Sequence, residues 1–363
     1  MRILFALPGL HRVERGAEIA FVSIASELAG LGDKVTLIGS GPPIAGRPYR
    51  YLRAQSIPRE RFERFPTVPP LRGDTSWEEA IFVPGLLRRY KPRDYDVTVT
   101  CSFPFTNMAL RRPVIGGARP PHVFVTQNGD WPAFCDRAEY RFFGCDGLVC
   151  TNPDYYERNA DRYRCALIPN GVDVARFTPG ASEPEYFGMA RDQPIILMVS
   201  AMIPSKNVAD GIRAVARLEN AMLVVAGDGP LRDELQELAD RLLPGKYKQI
   251  RVAAADMPRL YRSADAFLHL SRDESFGNVF IEALACGMPI VAYDLPRTRW
   301  ILGDHACYVV DAASEAIASQ LGIALRDNGA GCEGRADYAK RFAWLSVAKR
   351  YRDFLKEVVA ASN

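Results

Sequence analysis

The sequence predicts an α/β protein with two doubly wound parallel sheets. Short apolar runs, each dense enough for a buried strand, alternate with helical patterns from residue 2 onward, and the same rhythm starts again at residue 194. A chain of 363 residues is also long enough for two domains that each have a hydrophobic core. We therefore expect two similar Rossmann-like halves.

The apolar runs and helical patterns assign the elements in order. In the first half, strands are predicted at residues 2–7, 34–38, 97–100, 123–126, 147–150 and 166–168, with a helix at 17–31. In the second half, strands are predicted at 195–199, 222–226, 250–252, 266–270 and 290–292, with helices at 208–218, 231–242, 257–263 and 279–286. The turn signal Asn170-Gly171, followed by Pro179 and a polar stretch, marks the boundary between the halves. Apolar residues at helical spacing predict one more helix within residues 342–359.

Composition and charge exclude several classes of protein. Hydrophobic residues make up 48% of the chain and charged residues 25%, as in soluble globular proteins. The surplus of basic over acidic residues, 46 against 43, is too small to indicate a nucleic-acid partner. Pro8-Gly9 ends the first apolar run too early for a signal peptide, and no run of about 18 apolar residues follows. We therefore expect a cytoplasmic protein.

The sequence does not indicate a metal site in the protein. The eight cysteines and four histidines are scattered, without the spacing of zinc ligands. Asp94 and Asp96 form a D-x-D pair, a pattern that can hold a metal, but the pair directly precedes a strand and is interpreted as a solvated strand entrance. We expect neither a metal ion nor a cofactor.

The most informative stretch is residues 273–289, which read D-E-S-F-G-N-V-F-I-E-A-L-A-C-G-M-P. It predicts a tight turn between a buried strand and a helix, with Asn278 as the N-cap residue. Backbone N–H groups at such a helix start attract an anion, and Gly277 lets a phosphate approach the backbone closely. Glu274 and Glu282 bracket the turn and suit hydroxyl groups, so a sugar nucleotide fits this pattern. An ordinary strand–turn–helix unit with a surface glutamate is the alternative.

The spacing of Glu274 and Glu282, with seven residues between them, resembles the E-x7-E signature of the retaining glycosyltransferases of family 4. The stretch from Ile168 to Asp173 and the loop from Gly227 to Pro230 are similar to motifs of the same family. The resemblance implies the GT-B fold, in which two Rossmann-like doubly wound domains face a central cleft and a C-terminal helix crosses back to the first domain. It also implies an acceptor-binding domain of residues 1–176 with the helix 346–363, and a nucleotide-sugar-binding domain of residues 190–345.

The resemblance further assigns roles to individual residues. Lys206 matches the lysine that contacts the donor diphosphate, while Glu282 would hold the ribose and Glu274 the donor sugar. The full donor-binding set is Gly16, Lys206, Gly227, Glu274, Ser275, Phe276, Gly277, Asn278 and Glu282. Gln127 stands where many members have a histidine that faces the donor sugar, so the catalytic set is Glu274, Lys206 and Gln127. The implied acceptor contacts are His11, Arg15, Asp130 and Trp131.

Two positions depart from the family pattern and keep other functions open. Ala201 replaces the usual diphosphate arginine, and the amide of Gln127 cannot act as a base near neutral pH. A catalytically weak or inactive nucleotide-sugar-binding protein of the same fold is therefore an alternative to an enzyme. A Rossmann oxidoreductase or epimerase is disfavoured because no G-x-G-x-x-G follows the first strand. Asp130 and Trp131 could equally form a structural turn beside a core tryptophan.

The expected partners are a nucleotide-sugar donor and a small or glycan acceptor, without nucleic acid. Basic and aromatic residues come together at residues 59–65 and 88–91, a combination that a membrane surface would attract. Glu60 and Glu63 dilute the first of these clusters, so a solvated helix face is the preferred interpretation. The implied reaction retains the anomeric configuration and needs no metal. The sugar, the base and the acceptor are not identified by the sequence.

Overall fold

A computed structural model of the chain describes residues 1–113, 119–134 and 138–362. The chain divides into two compact units. The first unit comprises Met1–Asn170 together with the chain from Trp344 onward, and the second unit comprises Gly171–Ala343. Each unit is built on one parallel sheet, as the alternation of apolar runs and helical patterns predicts.

The first unit contains a seven-stranded parallel sheet. Its strands are β1 (Arg2–Ala6), β2 (Lys34–Gly39), β3 (Arg50–Arg53), β4 (Val97–Thr100), β5 (His122–Val125), β6 (Gly147–Cys150) and β7 (Cys165–Leu167). Their order across the sheet is β3-β2-β1-β4-β5-β6-β7. The helices that follow these strands are α1 (Gly16–Gly30), α2 (Asp74–Arg89), α3 (Phe105–Leu110) and α4 (Pro153–Asn159). Strand β3 was not predicted, because its sequence R-Y-L-R mixes charged and apolar residues and is at most half-buried at this edge of the sheet.

The second unit contains a six-stranded parallel sheet. Its strands are β8 (Ile195–Val199), β9 (Met222–Ala226), β10 (Tyr247–Ile250), β11 (Ala266–His269), β12 (Ile290–Tyr293) and β13 (Cys307–Val309). Its helices are α5 (Val208–Val215), α6 (Arg232–Leu242), α7 (Met257–Arg262), α8 (Asn278–Ala285), α9 (Pro296–Leu302), α10 (Ser314–Leu325) and α11 (Cys332–Ala339). The order across the sheet is β10-β9-β8-β11-β12-β13. The predicted strand at 250–252 lies earlier, as β10, and the short edge strand β13 was not predicted.

The last helix, α12 (Trp344–Ala360), packs in the core of the first unit. Its buried side chains include Tyr351, Phe354 and Leu355, which share one hydrophobic cluster with Phe21 and Ile24 of α1. Arg352 also donates a hydrogen bond of 2.8 Å from Nε to Asp33 Oδ2 beyond the end of α1. The predicted return of the C-terminal helix to the first domain is therefore confirmed.

Both sheets have a point at which the strand order reverses. In the first unit it lies between β1 and β4, and in the second unit between β8 and β11. The loops that leave two such neighbouring strands run to opposite faces of the sheet and open a crevice at the carboxyl ends of the strands. Ligands of doubly wound proteins bind in this crevice, so these two points are the first places to look for a site.

No helix of the described residues combines the length and the apolar character that are needed to cross a membrane.

Candidate active site

Lys206 and Glu274 meet where the strand order of the second unit reverses. Lys206 ends a short turn of 3-10 helix after β8, and Glu274 lies in the loop after β11. The ammonium group of Lys206 forms an ion pair with Glu274 Oε1 and lies 3.4 Å from the hydroxyl of Ser271. The neighbouring Asn207 has a left-handed backbone conformation, with φ of 52°, and its side-chain amide donates to the carbonyl of Leu270 at 2.8 Å. The two loops are thus joined by a charged pair and a hydrogen bond.

The carboxylate of Glu274 has a second partner, His269, at the end of β11. The distance from His269 Nε2 to Glu274 Oε1 is 3.1 Å, and the imidazole is 3% exposed. Burial raises the pKa of Glu274, but the hydrogen bond and the charge of His269, followed by the hydrogen bond and the charge of Lys206, lower it to about 2. Glu274 is therefore ionised at neutral pH. His269 was not predicted as a site residue, because its only signal is a polar residue inside an otherwise apolar strand.

The turn before α8 differs in detail from the prediction. Asn278 is the first residue of the helix and not its N-cap, and Gly277 takes the cap position with φ of 89°. A side chain at Gly277 would be strained by this backbone conformation, and its Cβ would lie 2.8 Å from the ring of Phe280. The side chain of Phe276 is buried against Trp300 and Phe342, so Phe276 can contact a ligand only through its backbone. Ser275, Gly277 and Asn278 are half-exposed.

Glu282 lies one turn into α8 and accepts a hydrogen bond of 2.8 Å from the hydroxyl of Tyr261 to Oε2. Burial raises the pKa of Glu282, and the bond from Tyr261 opposes that rise. Tyr261 is itself completely buried on α7. This partner was not predicted, because no local pattern relates α7 to α8.

Gly227 holds the loop after β9 against the loop after β8. A Cβ atom at Gly227 would overlap the carbonyl oxygen of Ser200, and one at Gly229 would lie 2.5 Å from the carbonyl oxygen of Met202. The backbone N–H of Met202 also donates to the carbonyl of Asp228 at 2.9 Å. The backbones of the two loops therefore touch directly, beside the exposed side chain of Ala201.

In the first unit, three predicted residues lie on the loop between β1 and α1 and at the first position of that helix. The ring of His11 stacks on Tyr51 with centroids 4.0 Å apart, and His11 Nε2 lies 2.8 Å from the hydroxyl of Tyr49. Burial lowers the pKa of His11, so a neutral ring is favoured. Arg15 pairs with Glu60 at 2.5 Å, and Gly16, the first residue of α1, is exposed.

The residues after β5 are held mainly by other protein groups. The amide of Gln127 makes two hydrogen bonds with the amide of Asn170, one of them 3.0 Å long. The carboxylate of Asp130 accepts bonds of 2.7 Å from Arg158 Nε and from Asn159 Nδ2.

The ring of Trp131 stacks on Tyr140, with centroids 5.9 Å apart. Asp130 is thus part of a structural turn, as the alternative interpretation held, whereas Trp131 keeps a partly exposed ring.

The described residues contain no group of three or more His, Cys, Asp or Glu side chains that could hold a metal ion. In the D-x-D pair, Asp96 is bonded to Arg2, whose Nε lies 2.9 Å from Asp96 Oδ1. Where its strand order reverses, the second unit has several groups that can bind a ligand. It offers a cation at Lys206, backbone amides at the start of α8, and two carboxylates that can accept hydrogen bonds from hydroxyls.

Two family models match the chain, one in each unit. Residues 15–176 match the model described as Glycosyltransferase Family 4, and residues 183–342 match the model described as Glycosyl transferases group 1. A D-inositol 3-phosphate glycosyltransferase of Mycobacteroides abscessus is 32% identical over 209 residues, which are 52% of this chain and 46% of that protein. The chain thus matches about half the length of this curated relative. Both units are related to glycosyltransferases.

Solved structures extend the similarity over nearly the whole chain. Sucrose-phosphate synthase from Thermosynechococcus elongatus has a TM-score of 0.78 at 18% identity, covering 99% of both chains. HepE of Anabaena in complex with UDP-glucose has a TM-score of 0.72 at 18% identity, covering 98% of this chain and 100% of that one. At such low identity the likeness is one of fold, and it confirms the predicted GT-B class.

Proposed function

We propose that this relative of the glycosyltransferases is itself an enzyme of family 4, which transfers a sugar from a nucleotide-diphosphate sugar to a hydroxyl group of an acceptor. The observation that carries the proposal is the Lys206–Glu274 pair where the strand order reverses. This crevice is where doubly wound sheets bind their ligands. A diphosphate needs a cation and free amides, and a sugar needs hydrogen-bond acceptors, so the residues present match both parts of one donor.

Each part of the donor has a group in the second unit that suits it. Lys206 and the backbone amides from Ser275 to Asn278 would bind the diphosphate, since a helix start alone supplies about half a positive charge. Glu274 would accept hydrogen bonds from the donor sugar, and Glu282 from the ribose. Gly227 would let the nucleotide approach the backbone of its loop.

The proposed reaction retains the configuration at the anomeric carbon and uses no metal. The bond from this carbon to the diphosphate breaks, and the acceptor oxygen bonds to the carbon on the same face. The departing phosphate takes the proton of the acceptor hydroxyl. Lys206 stabilises the charge that develops on the leaving diphosphate, so its contribution is electrostatic. Because Ala201 provides no charge, Lys206 carries more of this task than it would beside an arginine.

The acceptor is proposed to bind to the first unit, through the loop of His11, Arg15 and Gly16 and through Trp131. Gln127 is proposed to contact the donor sugar, but only after its amide rotates away from Asn170. Asp130 is proposed to contact the acceptor as well, in addition to its bonds with Arg158 and Asn159 or in exchange for one of them. A small or soluble acceptor remains the preferred class.

Calorimetric titration with UDP-glucose and GDP-mannose tests the proposal directly. The wild type is expected to bind one of them, and Glu282→Ala should weaken that binding by about 1.5–3 kcal/mol, the usual cost of losing a hydrogen bond to a charged group. Lys206→Ala should lower turnover more than it raises the donor KM, because charge on the diphosphate grows in the transition state.

Lys340→Ala is the matched control, since Lys340 is an exposed lysine that pairs with Asp337 near the end of α11. Unchanged donor affinity in Glu282→Ala would remove the ribose assignment. Donor binding without turnover or donor hydrolysis, across a panel of acceptors, would instead indicate a binding protein.

A further inference from the structure

His269 contacts Glu274 in the candidate site, and the proposed function gives this histidine no role. Its imidazole is 3% exposed at the end of β11, between Phe267 and Phe280. The ring lies nearly parallel to Phe267, at 12°, and edge-on to Phe280, with centroids 4.9 Å apart. These two rings fix the plane of the imidazole, so Nε2 points to Glu274 Oε1 at 3.1 Å.

The other ring nitrogen shows which form of the imidazole is present. His269 Nδ1 is buried, and it makes no hydrogen bond with any of the described residues. A proton on Nδ1 would therefore be a buried donor without an acceptor, which is costly. An unprotonated Nδ1 costs less free energy than this buried donor, and the proton of the ring then lies on Nε2. In this form Nε2 donates a hydrogen bond to Glu274 Oε1.

His269 and Lys206 contact the same oxygen of Glu274, Oε1. The two donors differ in rigidity, because Lys206 has a flexible stem whereas the ring of His269 is fixed by its aromatic neighbours. When a diphosphate binds, the ammonium group of Lys206 must move towards the phosphates. The contact from His269 does not depend on that movement.

We propose that His269 is a positioning residue, whose Nε2–H holds the Glu274 carboxylate in the orientation that binds a hydroxyl of the donor sugar while Lys206 engages the diphosphate. The inference rests on the proposed function, since it assigns the sugar to Glu274. It predicts that His269 affects recognition of the sugar and not of the nucleoside diphosphate. A purely structural histidine would affect both or neither.

The test compares His269→Leu and His269→Gln with the wild type. Leucine fills a similar volume and cannot donate, whereas the side-chain amide of glutamine places an N–H near the position of Nε2. His305→Leu is the control, because His305 precedes β13 at the opposite end of the same sheet and packs on Tyr338. Circular dichroism and thermal melting identify any variant that does not fold.

Calorimetry with UDP-glucose, UDP, GDP-mannose and GDP provides the decisive measurement. The comparison uses the sugar nucleotide that the wild type binds and the matching nucleoside diphosphate. His269→Leu is expected to lose about ten-fold in affinity for the sugar nucleotide with little change for the diphosphate. The glutamine variant should recover most of that loss. Turnover with a working acceptor should be highest for the wild type, lower for His269→Gln and lowest for His269→Leu, since a misplaced donor sugar reacts poorly.

The outcomes separate the two proposals. If the wild type binds neither sugar nucleotide, the proposed function is contradicted, and the role of His269 towards a donor sugar is contradicted with it. If the wild type binds and His269→Leu discriminates sugar nucleotide from diphosphate equally well, only the role of His269 is contradicted. Nitrogen-15 NMR of the imidazole gives an independent check: a proton on Nε2 supports the inference, and a neutral ring protonated only at Nδ1 overturns it.

Discussion

The side chains of the candidate site differ in the protein groups that they contact. In the second unit, Lys206 and His269 both contact Glu274, and the three residues lie at the end of β11 or in the loops that follow β8 and β11, where a ligand would bind. In the first unit, the amide of Gln127 and the carboxylate of Asp130 are bonded to Asn170, Arg158 and Asn159 instead. Residue type alone does not separate these cases, because it does not show which partner each side chain meets in the folded chain.

The low pKa of Glu274 predicts a dependence of stability on pH. The pKa is lowered to about 2 from an ordinary value of 4.5, so the ionised form stabilises the folded state above pH 4.5. This contribution should disappear as the pH falls from about 4.5 towards 2, because the unfolded chain then binds the proton more tightly. The difference in unfolding free energy between wild type and Glu274→Gln should shrink over that range, by on the order of 3 kcal/mol at most.

Urea unfolding at pH values from 6 down to 2.5 measures this difference. Glu237→Gln on the exposed face of α6 is the control and should leave the pH profile parallel to that of the wild type. A constant difference between wild type and Glu274→Gln at every pH would contradict the prediction.

At the scale of elements, the site depends on loops whose backbones touch. The loops after β8 and β9 meet at Gly227 and Gly229, where a Cβ atom would overlap a carbonyl oxygen of the other loop. The loop after β11 turns sharply at Gly277, where φ is 89°. These glycines allow three loops to converge beside Lys206, so they contribute to the site although they have no side chain.

Gly227→Ala should therefore lower the thermal unfolding temperature by several degrees, because the new methyl group forces the loops apart at a cost of about 1–3 kcal/mol. It should also weaken donor binding, since the loop after β8 carries Lys206. Gly322→Ala in α10 is the matched control. Its Cβ would meet only Arg326 at 3.7 Å, and alanine in place of a helical glycine stabilises by up to about 1 kcal/mol. Equal melting temperatures for the two variants would refute the role of Gly227.

At the scale of the whole molecule, the chain leaves the first unit at Asn170 and returns to it at Trp344. The returning helix α12 buries Val347, Tyr351, Phe354, Leu355 and Val358 in the cluster that includes α1 and β1. The core of the first unit thus combines α12 with strands and helices from the first 170 residues, and the second unit lies between these two segments in the chain. Loss of α12 would expose a large apolar face of α1.

Leu355→Ala should destabilise the first unit selectively, by about 2–5 kcal/mol, because a completely buried leucine is lost from the cluster. Hydrogen exchange measured by mass spectrometry should show faster exchange in β1 and α1 and unchanged exchange in β8 and α8. Leu321→Ala provides the reciprocal control, since Leu321 is equally buried on α10 of the second unit. Faster exchange in both units after Leu355→Ala would indicate a single cooperative unit.

The two parallel sheets, the C-terminal helix and the turn between Glu274 and Glu282 could be predicted from the amino-acid sequence. Buried parallel strands are nearly continuous apolar runs, and an amphipathic helix repeats its apolar residues, so these features are encoded locally. The partners of the site residues were decided only by the tertiary structure: His269 for Glu274, Tyr261 for Glu282, Asn170 for Gln127 and Arg158 for Asp130. The half-exposed strands β3 and β13 were likewise visible only in the tertiary structure. Hydrogen bonds and edge pairing between distant residues depend on how the elements pack, and no local pattern of residues records that packing.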